Sequence, residues 1–261
     1  MNIIVLIKQV PDTNEVKIDQ ETGRIMREGL PSIINPDDKA GIEEALKIKE
    51  ENGAHITVLS MGPPQAAEAL KEAYAMGADD VILLTDRAFG GADTWATSTA
   101  LAAAINSLDY DLIIAGRQAI DGDTAQVGPQ TAEHLGIPSI SYVEDVKEIT
   151  EDSITVQRQF EDRYQIIKAK FPVLITTLGE MNSPRYMRVS RIYDVNRENL
   201  VKTWTVDDIE VDRTNIGLQG SPTRVKKSFT KGAKQAGKVF DVNAQDGATI
   251  IVDKLAEEFL I

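Results

Sequence analysis

The residues best suited to chemistry lie in a polar stretch behind a short apolar run. Leu112–Ile114 is typical of a buried strand, residues 115–130 read AGRQAIDGDTAQVGPQ, and a helical pattern follows as far as Gly136. A loop between a strand and a helix presents backbone N–H groups to a phosphate. Arg117 can neutralise phosphate charge, and Gly122 allows close approach of the backbone. Other polar side chains can cap the helix or bond a ribose: Asp121, Asp123, Thr124 and Gln126. The stretch predicts a nucleotide site, with an ordinary capped loop as the alternative.

A second glycine-containing loop, residues 86–97, precedes the helical pattern that runs to Ser107. Gly90 and Gly91 allow positive φ and close approach to a pyrophosphate, and Asp93 or Thr94 can cap the helix. Two such loops favour a dinucleotide over AMP, whereas the alternative is a flexible connection with a routine cap. The loop also resembles the SGGxDS loop of ATP pyrophosphatases, except that Phe89 stands where that loop begins with Ser. An ATP-binding module therefore stays an alternative.

Catalytic groups of other kinds are not indicated by the sequence. The chain has no cysteine, which excludes disulfides, thiolate metal sites and cysteine nucleophiles. His55 and His134 fit structural or surface positions better than metal ligands, so we expect no metal site. Adjacent carboxylates such as Asp79 and Asp80 are usual in caps and solvated turns. Redox chemistry would therefore come from a bound cofactor.

Length and charge limit the remaining classes. The chain has 261 residues and a net charge of −13, which argue for an acidic globular protein and against a broad surface for nucleic acid or anionic membranes. The apolar run Ile3–Ile7 is too short for a signal-peptide core, so we expect a first buried strand and a cytoplasmic location.

The elements that would position these loops alternate between short β-branched runs and helical patterns, as in a parallel sheet covered on both faces. Strands are predicted near residues 3–7, 55–60, 81–85, 112–115 and 172–177, and helices over 38–51, 64–76 and 94–107. A small hairpin is predicted from residues 16–18 and 24–26, and residues 146–170 alternate as antiparallel edge strands do. The predicted fold class is α/β, a Rossmann-like three-layer sandwich.

The regular pattern fades after Leu178, and we predict two parts: a nucleotide-binding domain over residues 1–190, and a C-terminal arm over residues 191–261 that contacts a partner. Residues 223–238 carry six cations and no acid: Arg224, Lys226, Lys227, Lys231, Lys234 and Lys238. Such a segment suits a clasp on an acidic partner or a solvated linker. A terminal helix is predicted over Asp253–Leu260.

Five segments in register over nearly the whole chain resemble the β subunit of electron transfer flavoproteins. They are VLIKQVPD at residues 5–12, INPDDKAGIEEALKIKE at 34–50, LSMGPPQA at 59–66 with AMGADD at 75–80, the loop at 115–130 and SPRYMRVSRI at 183–192. The resemblance implies a heterodimer with a homologous α subunit and a nucleotide at the carboxyl ends of the strands. It also implies adenosine and phosphate contacts from these residues: Leu6, Asn35, Pro36, Asp37, Asp38, Met61, Gly116, Arg117, Gln118, Asp121, Gly122, Asp123, Thr124, Ala125, Gln126 and Val127.

Members of that family hold either AMP or, in the electron-bifurcating group, a second FAD in the β subunit. Residues 86–97 resemble the extra loop of the bifurcating group, which adds these cofactor contacts: Phe89, Gly90, Gly91, Asp93, Thr94 and Thr97. The resemblance then implies FAD as cofactor and NADH as hydride donor. It further implies ferredoxin or flavodoxin as one electron acceptor, and as the other, through FAD in the α subunit, an acyl-CoA dehydrogenase. AMP as a structural ligand is the alternative.

The segment Met181–Ile192 resembles the loop by which this family recognises its dehydrogenase, with Val189 at the position of the apolar anchor. That position is often leucine in the family, and here three arginines surround it. The resemblance implies partner recognition by Arg185, Tyr186, Arg188, Val189 and Arg191. The alternative is that Val189 is a buried strand residue.

Overall fold

The computed structural model describes residues 1–12, 17–18, 25–26, 31–224 and 237–261 of the chain. Thirteen strands lie within these residues. Their bounds are β1 Asn2–Leu6, β2 Gln9–Pro11, β3 Lys17–Ile18, β4 Ile25–Met26, β5 Ser32–Ile34, β6 His55–Met61, β7 Asp80–Leu84, β8 Leu112–Gly116, β9 Ser139–Ile149, β10 Ser153–Gln159, β11 Tyr164–Lys170, β12 Val173–Thr177 and β13 Val201–Trp204.

The described helices are α1 Pro36–Asn52, α2 Ala67–Met76, α3 Thr94–Ile105, α4 Val127–Leu135, α5 Val189–Glu198, α6 Gly217–Gly220 and α7 Ala244–Glu257. Three of them begin where the sequence supplies a proline or a capping side chain: α1, α3 and α7. Pro36 opens α1, and Gly53 ends it in the left-handed conformation with its N–H on Lys49 O. Asp93 caps α3 by accepting from Ala96 N.

Nine of the described strands form one sheet in the order β11-β10-β9-β12-β8-β1-β6-β7-β13. Six of them, from β12 to β13 in that order, pair in parallel, and β9 pairs parallel to β12. Strands β10 and β11 then add antiparallel strands at one edge. This arrangement confirms the predicted α/β class and its antiparallel edge.

Alternate residues of the central strands enter two separate cores, which makes the sandwich three-layered. In β1, Ile3 and Val5 belong to one core together with Ile42 and Leu70 of α1 and α2. Ile4 and Leu6 of the same strand belong to the other core, which includes Leu101 and Ala132 of α3 and α4. Because successive side chains of a strand point to opposite faces, one apolar run supplies both cores.

The order of the strands reverses next to β1. The chain passes from β1 through α1 to β6 on one side, and it returns from β7 through α3 to β8 on the other side. The carboxyl ends of β1 and β8 therefore border a topological switch point. In open α/β sheets, ligands bind in the crevice at this place.

The structure corrects the prediction of irregular chain after Leu178. Helix α5 packs on α2, and β13 joins the sheet as the edge strand beside β7. Both were missed because α5 buries only one residue, Val195, and because β13 is a single short strand with two exposed positions. The predicted domain boundary at residue 190 stays a prediction; by compactness the chain forms two units, Met1–Arg224 and Val225–Ile261.

The prediction of a terminal helix over Asp253–Leu260 is wrong in its bounds, because α7 begins at Ala244 and ends at Glu257. The signal for the true start is Asn243, whose side chain accepts from Gln245 N and Asp246 N. The predicted hairpin is confirmed in its strands, β3 and β4. Most of the predicted basic segment, residues 225–236, lies outside the described residues. Among the described helices, none is both long and apolar enough to cross a membrane.

Candidate nucleotide crevice

A cavity of about 530 Å³ opens at the switch point. Its floor is formed by residues at the ends of β1 and β8, and its walls are the loop after β8 and the first turn of α3. The structure brings most of the predicted cofactor residues to this cavity: Leu6, Asp38, Met61, Asp93, Thr94, Thr97, Gly116, Arg117, Gln118, Gly122, Asp123, Thr124, Ala125, Gln126 and Val127. A cavity of this size lies within the range of small-molecule and cofactor sites.

The N-termini of α3 and α4 meet across this cavity. Thr94 Oγ1 donates to Gln126 Oε1 at 2.9 Å, which joins the first residue of α3 to the residue before α4. The N–H groups of Val127 and Gly128 have no acceptor within α4, and Pro129 supplies no N–H at the next position. Two helix N-termini, each with its positive dipole end, therefore face one crevice, as an anionic ligand requires.

Asp38 lies buried at the back of the crevice, where it joins three parts of the chain. Its Oδ2 accepts from Lys8 N at 2.7 Å, and its Oδ1 accepts from Gly116 N at 3.0 Å. Burial raises the pKa of Asp38 to about 7, although hydrogen bonds from Asn35, Lys8 and Gly116 oppose the rise.

Asn35 is also fully buried, but it bonds the loop and does not line the cavity. Its Nδ2 donates to Gln118 O at 2.8 Å, and its Oδ1 accepts from Ile120 N at 3.0 Å. Since both ends of the amide are occupied by backbone, Asn35 holds the loop in place. Pro36 likewise lies outside the cavity lining and begins α1.

The charges nearest the crevice are paired within the chain. Arg117 Nε lies 3.3 Å from Asp37 Oδ2, and the Arg117 guanidinium lies over the ring of Tyr142. Burial raises the pKa of Asp37, against the opposing effect of Arg117. Lys8 Nζ lies 2.7 Å from Asp121 Oδ1. The charges of the two cations are therefore partly neutralised by carboxylates of the same chain.

The loop that contains Gly90 and Gly91 turns away from the cavity. Gly90 O accepts from Leu218 N at 2.9 Å, and Gly91 has φ 73° with Leu218 Cβ 3.1 Å from where its own Cβ would lie. Phe89 is buried in the core beneath α3. Gly91 thus allows α6 to pack closely, and the part of residues 86–97 that lines the crevice is Ala92, Asp93, Thr94 and Thr97.

Four residues that line the cavity lie outside the predicted loops and contacts: Ile7, Lys8, Leu101 and Thr223. Ala92, Ala115, Ala119 and Gly128 also line it and lie within the predicted stretches 86–97 and 115–130. Lys8 had a signal, because it directly follows the first predicted strand. Leu101 lies one helical turn after Thr97 on the same face. Thr223 had no local signal: it reaches the site because its N–H and hydroxyl donate to Asp93 Oδ2 at 2.9 and 2.7 Å.

The predicted partner-recognition segment divides into residues that face inward and residues that face outward. Arg185 binds Glu43 and Glu50 of α1, which raises the pKa of the guanidinium. Arg191 donates to Tyr74 O at 2.8 Å and to Ala78 O. Arg188 is exposed, Tyr186 is 96% exposed and Val189 is 81% exposed. Val189 is therefore not a buried strand residue, and it begins α5 at the surface.

The two histidines lie apart from the crevice lining. His55 Nε2 lies 2.9 Å from Asp80 Oδ2 at the amino end of the sheet, and the ring of His134 contacts the edge of Trp95. Within the described part of the chain, no group of three His, Cys, Asp or Glu side chains is placed to hold a metal ion.

Comparison with known proteins gives one consistent family. Residues 22–209 match the family model described as "Electron transfer flavoprotein domain". The chain is 58% identical to "Electron transfer flavoprotein subunit beta" of Clostridium acetobutylicum over the whole length of both chains. It is 51% identical to "Caffeyl-CoA reductase-Etf complex subunit CarD" of Acetobacterium woodii, again over all of both chains. It is 43% identical to "Acryloyl-CoA reductase electron transfer subunit gamma" of Anaerotignum propionicum, also over all of both.

Proposed function

The chain belongs to the β-subunit family of electron transfer flavoproteins, and from this premise we propose that it binds FAD in the crevice, accepts hydride from NADH and bifurcates the electrons. One electron would pass to ferredoxin or flavodoxin. The other would pass through FAD of the α subunit to an acyl-CoA dehydrogenase. We propose the cytoplasm as its location.

The observation that carries the proposal is the meeting of the two helix N-termini, joined by Thr94 and Gln126, across the 530 Å³ cavity. A pyrophosphate carries charge on two phosphates. The end of α4 offers the N–H groups of Val127 and Gly128 together with its dipole, and the end of α3, where Asp93 already accepts from Ala96 N, offers its dipole. AMP has a single phosphate and uses one end. The extent of the crevice therefore favours a dinucleotide.

The lining also fits the uncharged part of such a ligand. Leu6, Met61, Leu101 and Ala115 give the cavity an apolar part of its lining, beside the polar residues of the loop after β8 and of the α3 end. Pockets for cofactors generally combine apolar walls with a few fixed polar groups that set orientation. A flavin bound here would supply the hydride acceptor and the one-electron chemistry, so this chain has only to bind, orient and shield it.

The names of the relatives support the proposed acceptor. CarD is part of a caffeyl-CoA reductase complex, and the Anaerotignum relative is an electron transfer subunit of an acryloyl-CoA reductase. Both names describe proteins that deliver electrons to enzymes acting on CoA thioesters. The exposed side chains Tyr186, Val189 and Tyr193 on and before α5 give this chain a surface suited to such a partner.

The nucleotide content of the co-purified complex with the α subunit tests the proposal. We expect two FAD per pair and no AMP, together with bleaching of the visible flavin absorption on addition of NADH. One FAD and one AMP per pair would overturn the proposed hydride and bifurcation chemistry. That result would indicate a non-bifurcating β subunit with AMP as a structural ligand. A chain with ATP or AMP and no flavin in the complex would indicate a regulatory nucleotide-binding module.

A further inference from the structure

Asp38 joins the two strand ends that form the floor of the nucleotide crevice. One carboxylate oxygen accepts from Lys8 N, just beyond β1, and the other accepts from Gly116 N, the last residue of β8. These two strands are the neighbours at the switch point. The carboxylate therefore fixes the start of the loop of residues 116–126 relative to the segment after β1.

The close fit at Gly116 shows how little space this arrangement leaves. A Cβ on Gly116 would lie 2.0 Å from Asp38 Oδ1 and 2.8 Å from Asp38 N. Glycine is thus required because the Asp38 carboxylate occupies the place of a side chain. The acid in the first turn of α1 needs a glycine at the end of β8 to leave it room, and the glycine supplies the N–H that the acid accepts.

From this geometry we infer that Asp38 is a positioning residue for the nucleotide: in its ionised form it holds the crevice loop where the ligand phosphates need it. The inference rests on the proposed nucleotide site. Asp38 lines the cavity, but its role is exercised through the backbone N–H groups that it binds. Protonation turns one of the two oxygens into a hydroxyl, which is a weaker acceptor than a carboxylate oxygen, and so weakens the hold on one of the two strand ends.

Other charges face Asp38 from each element around it. On α1, the neighbouring Asp37 raises the pKa of Asp38. Two ion pairs lie around Asp38: Arg117 of the loop pairs with Asp37 of α1, and Lys8 beyond β1 pairs with Asp121 of the loop. Asp123 of the loop also lines the cavity. Because burial places the pKa of Asp38 at about 7, its charge changes between pH 6 and 8.

The test measures nucleotide retained by the co-purified αβ complex after gel filtration at pH 8, 7 and 6, with FAD and AMP quantified separately. We expect the wild-type complex to lose the nucleotide of this subunit as the pH falls, with its dissociation constant rising about tenfold from pH 8 to pH 6. Asp38→Asn keeps the size of the side chain but leaves one acceptor oxygen for the two N–H groups. We expect this variant to bind nucleotide about tenfold more weakly than the wild type at pH 8, and its binding not to change with pH.

Asp79→Asn is the matched control. Asp79 also accepts a backbone N–H, that of Ile56 at 2.9 Å, but it lies at the amino end of the sheet. We expect this variant to retain nucleotide like the wild type at every pH. If Asp38→Asn does not fold, the wild-type complex still tests the inference, because nucleotide retention that does not change from pH 8 to pH 6 would contradict it.

Three results would overturn the inference. Tighter binding at pH 6 would mean that repulsion between Asp38 and the phosphates outweighs its positioning of the loop. Equal retention by the wild type and Asp38→Asn would mean that the loop does not need the carboxylate. Absence of any nucleotide of this subunit at pH 8 would overturn the proposed function, and the inference with it.

Discussion

Arg185 is bound to Glu43 by both its backbone and its side chain. Arg185 N donates to Glu43 Oε2 at 2.9 Å, and the guanidinium donates to both oxygens of the same carboxylate. Glu43 is buried on α1. Glu50 lies about two turns later on the same helix and binds the same guanidinium. Arg185 therefore fixes the segment before α5, while Tyr186 and Val189 stay exposed.

Arg185→Gln should destabilise the chain by about 2 kcal/mol, because the buried Glu43 carboxylate loses its charged donors. Urea unfolding measures this change. Arg188→Gln is the control, since Arg188 is exposed on the same segment, and we expect it to change the free energy of unfolding by less than about 0.5 kcal/mol. Equal effects of the two substitutions would show that the Glu43 contact contributes little.

Val189→Ala should raise the KM for an acyl-CoA dehydrogenase about tenfold, since truncation of an exposed apolar anchor weakens docking without touching the crevice. Steady-state electron transfer to the dehydrogenase measures the change, and NADH oxidation with an artificial acceptor should stay at the wild-type rate. Ser190→Ala, next along the exposed start of α5, is the control and should leave both rates unchanged. Parallel loss of both activities in Val189→Ala would contradict the anchor role.

The stability of the chain should depend on pH through Asp38. Burial raises the pKa of Asp38 from 3.8 to about 7, so between these values the folded state holds a proton that the unfolded state has lost. Stability from this group is therefore greatest near pH 4 and falls as the pH rises to 7, by at most about 1.4 kcal/mol per pH unit.

Urea unfolding at pH 5, 6, 7 and 8 tests that sign. We expect Asp38→Asn to gain stability relative to the wild type as the pH rises, because the amide carries no charge to bury. Curves for the two proteins that run parallel from pH 5 to pH 8 would contradict the raised pKa of Asp38. The curve of Asp79→Asn should run parallel to that of the wild type. Hydrogen bonds outweigh burial and lower the pKa of Asp79, so this carboxyl is ionised throughout the range from pH 5 to pH 8.

Gly128→Ala should destabilise the chain by about 1–3 kcal/mol, since the new Cβ would lie 2.9 Å from Thr176 Cγ2 and would push α4 away from β12. The same displacement moves an N–H group that faces the crevice, so nucleotide retention should fall as well. Gly122→Ala is the control for stability, because nothing lies within 4 Å of its added Cβ. Thermal unfolding and nucleotide content after gel filtration measure the two effects.

The central layers of the fold could be predicted because their signals are local. The β-branched runs of β1, β6, β7, β8 and β12 are each bounded by a turn or a helix start, and their alternation with helices fixes a parallel sheet. Helix α5 and strand β13 could not be found in this way. Their places depend on contacts with α2 and β7, which lie more than one hundred residues earlier in the chain.

The candidate site divides along the same line. The residues of the loop after β8 were predicted from their position between a strand and a helix, and they line the cavity. Gly90 and Gly91 had the same local signal, but they contact Leu218 of α6 and do not line the cavity. The roles of Asn35 and Asp38 as holders of the loop also depend on tertiary contacts, because a buried polar side chain takes whichever backbone partner the fold brings to it.

Helix α1 carries Asp38 in its first turn and Glu43 and Glu50 further along, so one rigid element touches both the crevice and the approach to α5. The distance between the proposed nucleotide site and the proposed docking surface is thereby set by a single helix. Transfer of partner preference from one relative to another by chimera construction therefore requires exchange of residues 36–52 together with residues 179–198. Exchange of the exposed side chains of residues 179–198 alone would leave them on an α1 helix of the other relative, and we expect partner preference not to follow.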